Sequence, residues 1–199
     1  MTDLEEAILM HRESLSLRPT PHPDRSLSLN DLATALHDHF GKTGSMTDLE
    51  EAILMHRESL SLCPTPYPAC SLLLNNLATT LQYRFRKTGS MADLEEAILI
   101  HHEALSLCPT PHLERSQSLN NFANALGDNF RKTGSMTDLE EAILMLRESL
   151  SLHPAPHPGR PRALIDLAHA LETRCKASGI HSDVSEVTAL RQEALAMSS

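Results

Sequence analysis

"MTDLEEAILM" occupies residues 46–55, and the same letters stand at 1–10 and 136–145, with "MADLEEAILI" at 91–100. The interval is 45 residues each time. Self-similarity at a fixed period marks an array of small units, each unable to bury its apolar face without a neighbour. A degenerate fifth copy, "HSDVSEVTALRQEALAM" from His181, keeps the register, with Asp183 answering Asp3, Glu186 answering Glu6 and Leu195 answering Leu15.

The quoted stretch opens an amphipathic helix. In the first copy Leu4, Ala7, Ile8, His11 and Leu15 recur at three-and-four spacing as one stripe, and Glu5, Glu6, Arg12 and Glu13 lie outside it. In the second copy Thr47 with Glu50 reads as a capping box, the hydroxyl accepting from one free N–H and the carboxylate from another. Pro64 falls just past the end of that helix. The other pattern in each unit, "PDRSLSLNDLATALHDHF" at 23–40, opens at Pro23, where a missing N–H costs nothing, and turns Leu29, Leu32, Ala33, Leu36 and Phe40 inward. Lys42 suits the negative end of its dipole and Gly44 a left-handed cap. Pro161 in the last unit is expected to delay the helix start by about a turn, because an interior proline breaks the hydrogen-bond ladder.

Between the two patterns lies "FGKTGS" at 40–45, whose GKT resembles a phosphate-binding loop. Such a loop needs a glycine five positions earlier and a preceding strand. Leu36 stands there, a helix precedes it, and the later copies read "FRKTGS" at 85–90 and 130–135, so the segment is a turn.

Composition agrees with helices. Aromatics make up 3%, there is no Trp, and glycines number seven. A net charge of -9 opposes phosphate-rich surfaces, so neither nucleic acid nor an anionic membrane is an expected partner. Apolar runs of a few residues exclude a transmembrane span, and the acidic start does not read as a signal peptide, so a cytoplasmic location is expected. Four cysteines without C-x-x-C spacing are expected to be reduced. His11, His56 and His101 would lie about 8–10 Å or more apart on stacked helices, too far to share a metal held at about 2 Å, so buried or stacked histidines are expected. Neither a metal nor a cofactor is expected. No Ser-His-Asp or Cys-His arrangement has motif support, and no enzymatic activity is expected.

The stripe Leu74, Leu77, Ala78 and Leu81, followed by Ala97, His101 and Pro109, resembles the tetratricopeptide repeat, which reads W-x-x-L-G-x-x-Y, then A-x-x-x-F, then P. The phrases "HPDRSLSLNDLA", "LLLNNLATTL" and "SQSLNNFANAL" are similar to the kinesin-light-chain type, in the 45-residue style of fungal proteins that carry a CHAT domain. The resemblance implies an all-α, right-handed α-solenoid of helical hairpins filling 1–199, with an orphan helix at 2–17 and units at about 23–64, 68–109, 113–154 and 158–197. It departs from the family where Leu replaces the bulky aromatic at 29, 74, 119 and 164, and where Ala replaces the packing glycine at 33, 78, 123 and 168.

In such arrays the first helix of each unit lines a concave groove. The resemblance therefore implies a peptide-binding row at Asn30, Asn75, Asn76, Thr79, Gln82, Asn120, Asn121 and Asn124. An amide donates to a carbonyl and accepts from an N–H, which suits the backbone of an extended peptide. The carboxylate clamp of other family members is not expected, since Leu27, Leu72, Gln117 and Arg162 occupy one of its rows. The implied function is a scaffold for a protein or peptide partner. The alternative is a spacer or self-association segment of a larger fungal signalling protein of the CHAT or NLR-like kind. In that alternative apolar residues of the terminal helices, Leu4 and Ile8 among them, are exposed and pair chains end to end.

Overall fold

A computed structural model of the protein describes residues 3–63, 70–109, 114–179 and 183–197. Among these residues there are nine α-helices and no strand. They are α1 (Asp3–Ser16), α2 (Arg25–Thr43), α3 (Met46–Ser61), α4 (Cys70–Thr88), α5 (Met91–Ser106), α6 (Arg115–Thr133), α7 (Met136–Ser151), α8 (Arg160–Ser178) and α9 (Val184–Ala196). Two compact units result, Met1–Leu107 and Cys108–Ser199. In the first, α2 pairs with α3 and α4 with α5, α1 packs on α2, and α4 touches both α2 and α3. In the second, α6 pairs with α7, α8 with α9, and α7 packs on α8.

The turn inside each hairpin follows from a few letters. Gly44, Gly89 and Gly134 sit at φ of 74°, 77° and 73°, a region that costs residues with a Cβ about 1 kcal/mol or more. The N–H of Gly44 donates to the Phe40 carbonyl at 2.7 Å. Thr43 Oγ1 accepts from the Ser45 N–H at 3.2 Å, and Ser45 Oγ accepts from the Asp48 N–H. The N-cap is thus Ser45, repeated at Ser90 and Ser135, and the expected Thr47–Glu50 box does not form because Thr47 already lies inside the helix. Pro161 does not delay α8, which starts at Arg160 in register with Arg25 and Arg115. It occupies the first turn, where the absent N–H has no carbonyl to serve. Pro64 lies outside the described residues.

Leu29, Leu32, Ala33, Leu36 and Phe40 are all buried. Ile8 joins Leu32, Ala33, Leu36 and Ala52 in one cluster, with Leu4 and Leu15 packed against it. Leu4 and Ile8 are therefore inside the α1–α2 contact rather than on an open face. Leu9 and Met10 are the large apolar side chains that α1 exposes.

Polar ties repeat with the period. The ion pairs Arg84–Asp93 and Arg174–Asp183 link the two helices of a hairpin, and His39 hydrogen-bonds Asp48 and Asn129 hydrogen-bonds Asp138 at the same register. Arg25, Arg115 and Arg160 each reach back to a carbonyl seven residues earlier, at Arg18, Cys108 and His153, and forward to Glu58, Glu148 and Glu193. In the α4/α5 hairpin that tie is replaced. Cys70 stands in the arginine's place, and the structure joins it to Cys63, the residue seven earlier, in a disulfide. The expectation of four reduced thiols is overturned there, because the helix start is held against the end of the previous helix, which brings the two Cα atoms to 6.1 Å. Cys108 and Cys175 are free thiols.

Candidate functional site

The eight residues expected to grip a peptide fall into two groups. Asn30, Asn75 and Gln82 are buried, at 7%, 5% and 3% exposure. Asn76, Thr79, Asn120 and Asn121 are half-buried, and Asn124 is exposed. Two of the buried amides join helices to each other. Asn76 Nδ2 donates to Asn30 Oδ1 at 2.9 Å, bridging α2 and α4. His101 Nδ1–H donates to Asn75 Oδ1 at 3.2 Å, bridging α5 and α4, since an amide oxygen only accepts. In the second unit Leu146 occupies the register of His101, and Asn120 Oδ1 has no partner among the described residues.

Beside the Asn30–Asn76 bridge, a cavity of about 70 Å³ lies between α2 and α4 and above α3. Thr34, His37, His56, Asn76, Thr79 and Thr80 line it. The second unit has the same feature at about 70 Å³, and the register-equivalents of all six residues line it: Asn124, Gly127, Leu146, Asp166, His169 and Ala170. The helical repeat thus builds one notch per unit in the same place, with different side chains in it.

In the first unit the notch has polar walls. Thr80 Oγ1 donates to the Asn76 carbonyl at 2.8 Å, so at 3.3 Å from His37 Nδ1 it accepts, which places a proton on that nitrogen. His37 packs edge-on against Tyr83 with centroids 4.7 Å apart, and the Arg86 guanidinium sits 5.5 Å from the Tyr83 ring centroid. His56 forms the floor at 1% exposure, and its Nδ1 has no hydrogen-bond partner among the described residues. Burial, and secondarily the nearby His37, pushes the His56 imidazole down to about 4, so it is neutral at pH 7. Burial also lowers His37, against a small opposing pull from Asp38. Burial likewise lowers His101 to about 4. Among the described residues no group of three His, Cys, Asp or Glu side chains could hold a metal ion. Arg162 pairs with Asp166 on its own helix at 2.9 Å.

Sequence reasoning placed all eight residues on the groove side of their helices, but Asn30, Asn75 and Gln82 are buried. It expected His56 to be buried, without a role in a site, and did not single out Thr80, which looks like a core position at helical spacing. The signal available for them was variation within the column: His56, His101 and Leu146 share one register while the surrounding letters hardly change.

The tetratricopeptide-repeat family profile matches residues 26–62, 72–112 and 115–159. Each matched segment contains one α-hairpin or most of one. Among solved structures, the chain is similar to a kinesin-light-chain-type protein of Podospora anserina with nearly identical TPR-like repeats. The TM-score is 0.69 at 18% identity, over 98% of this chain and 88% of that one. It is also similar to BtubC (BKLC) from P. vanneervenii, at a TM-score of 0.64 and 19% identity over 98% of this chain and 73% of that one. A search of the curated proteins finds no match. At these identities the likeness carries the fold alone. Repeats of this kind generally mediate protein–protein interaction.

Proposed function

We propose that this chain, which belongs to the tetratricopeptide-repeat family, is a non-catalytic cytoplasmic scaffold that binds an extended peptide on the α2/α4 face of its first unit, the α6/α8 face of its second being the equivalent surface there. The observation that carries the reading is the recurrence of the notch: the same six registers open a recess in both units. Asn76, Thr79, Asn121 and Asn124 are the accessible groups that would meet the peptide backbone. Asn30, Asn75, Gln82 and Asn120 would sit behind them and hold the helices at a fixed spacing. The acidic balance of -9 favours a partner with little negative charge. No described helix is long and apolar enough to cross a membrane.

A peptide-display selection on the chain beside an Asn76→Ala/Asn124→Ala variant tests this. Asn75 is left intact because it holds the buried His101. Peptides enriched by the parent and lost by the variant, with helicity unchanged by circular dichroism, support the reading. Enrichment indifferent to both substitutions, or none at all, refutes it.

A second reading, a self-associating spacer within a larger fungal signalling protein, is favoured by the face of α9. Leu60 of α3 packs against the core that α4 and α5 build, whereas Leu195, at the same register of α9, is 71% exposed. Val184 is 52% exposed where Leu49, Leu94 and Leu139 are buried. Together with Cys175 and Val187 they line an open apolar depression between α8 and α9.

A further inference from the structure

The floor of the first notch carries chemistry that the scaffold reading does not use. His56 is 1% exposed, and its Nδ1 has no partner among the described residues. Its register-equivalent, His101, is held by Asn75, but the amide that would do the same for His56 belongs to Asn30, whose oxygen accepts from Asn76 instead. A buried nitrogen left in this way has lost its hydration without replacement, and a group that enters the notch and hydrogen-bonds to it recovers that loss.

We propose that this notch is a side-chain pocket for a carboxamide, the asparagine or glutamine of a bound peptide. The inference rests on the peptide-binding reading above and adds to it the residue that the first unit selects. Size comes first. A water needs about 10–15 Å³ of such space, so about 70 Å³ accommodates a carboxamide with its methylene. Chemistry comes second. Thr34, Thr79 and Thr80 carry hydroxyls, Asn76 an amide, and His37 and His56 imidazoles, and no Asp, Glu, Lys or Arg lines the notch. A neutral imidazole offers one N–H and one lone pair, and a carboxamide offers both complements. A carboxylate or an ammonium would be desolvated there without a counter-charge, and an aliphatic side chain would leave the His56 nitrogen unpaired. The second unit does not share this preference. Leu146, Gly127 and Ala170 replace His56, His37 and Thr80, while Asp166 adds a carboxylate.

The test uses the full chain labelled at its histidine ring nitrogens and titrated at pH 7 with three capped tripeptides, Ala-Asn-Ala, Ala-Asp-Ala and Ala-Leu-Ala. The asparagine peptide is expected to move the His56 and His37 ring resonances. In His56→Leu, a side chain that the second unit accepts at this register, its binding falls about tenfold, the equivalent of one hydrogen bond. Larger shifts with the aspartate or leucine peptide, no shift with any of the three at millimolar peptide, or unchanged asparagine binding by the variant would each overturn the proposal. Display-selected peptides that depend on Asn76 and Asn124 yet leave both imidazoles unmoved would remove the carboxamide pocket and leave the scaffold reading standing.

Discussion

His56 and His101 are 1% and 0% exposed, and each titrates near 4 where an exposed imidazole titrates at 6.5. Above pH 6.5 neither the folded nor the unfolded chain holds these protons, so stability does not depend on them. As pH falls from 6.5 towards 4, only the unfolded chain gains them, and stability falls. The drop in pKa corresponds to about 3 kcal/mol for each histidine. Urea midpoints of the full chain are therefore expected to decline steadily from pH 7 to pH 4. His56→Leu should lose roughly half of the decline that the two histidines cause. Equal declines in both proteins would mean that His56 is not held neutral. The residue-scale pattern was partly legible. Three-and-four spacing identifies Leu29, Leu32 and Leu36 as core because apolar periodicity is a property of one helix. Whether Asn75 faces solvent or His101 depends on a second helix, and adjacent letters in "NN" differ by about 100° around the axis, enough to bury Asn75 and leave Asn76 half-open.

At the scale of the element, the connectors carry the clearest departure from the repeat. Arginine ties each connector end to end at 25, 115 and 160, and a disulfide does so at 63–70. Glu103 stands where Glu58, Glu148 and Glu193 meet their arginines. A link closing so short a loop is worth about 2–3 kcal/mol through the unfolded state. Reduction of the full chain is expected to lower its melting temperature. The double variant Cys63→Ser/Cys70→Arg should recover part of that loss under reducing conditions, through Glu103 and the carbonyl of residue 63. A melting temperature indifferent to reductant, with both thiols open to alkylation before reduction, would contradict the disulfide. The helix ends show a milder lesson. Ser45, Ser90 and Ser135 cap helices that the sequence suggested began two residues later, because the threonine of "KTGS" engages the serine N–H and pulls the start forward.

At the scale of the molecule, each unit is a stack of hairpins whose internal faces are covered by the next layer. The face of α9 that carries Val184 and Leu195 leaves them 52% and 71% exposed. Its register-equivalents on α3 and α7 meet α4 and α8. If a second copy supplies that cover, light scattering will show mass rising with concentration, and Leu195→Lys will return the chain to a monomer. A monomer at all concentrations, unaffected by the substitution, removes the self-association reading. The earlier expectation that Leu4 and Ile8 provide this contact fails for a packing reason, since both are covered by α2.

The letters alone determined the period, the helical hairpins, the glycine turns and the family, because these follow from backbone geometry and from apolar spacing that repeats every 45 residues. The tertiary structure decided which amides face outward, that Cys63 meets Cys70, and that the His56 Nδ1 has no hydrogen-bond partner among the described residues, beneath a notch between two hairpins. Those outcomes depend on distances between residues on different helices. A repeat unit specifies its own fold, but the chemistry in the space between units is set by which non-identical letters the packing brings together.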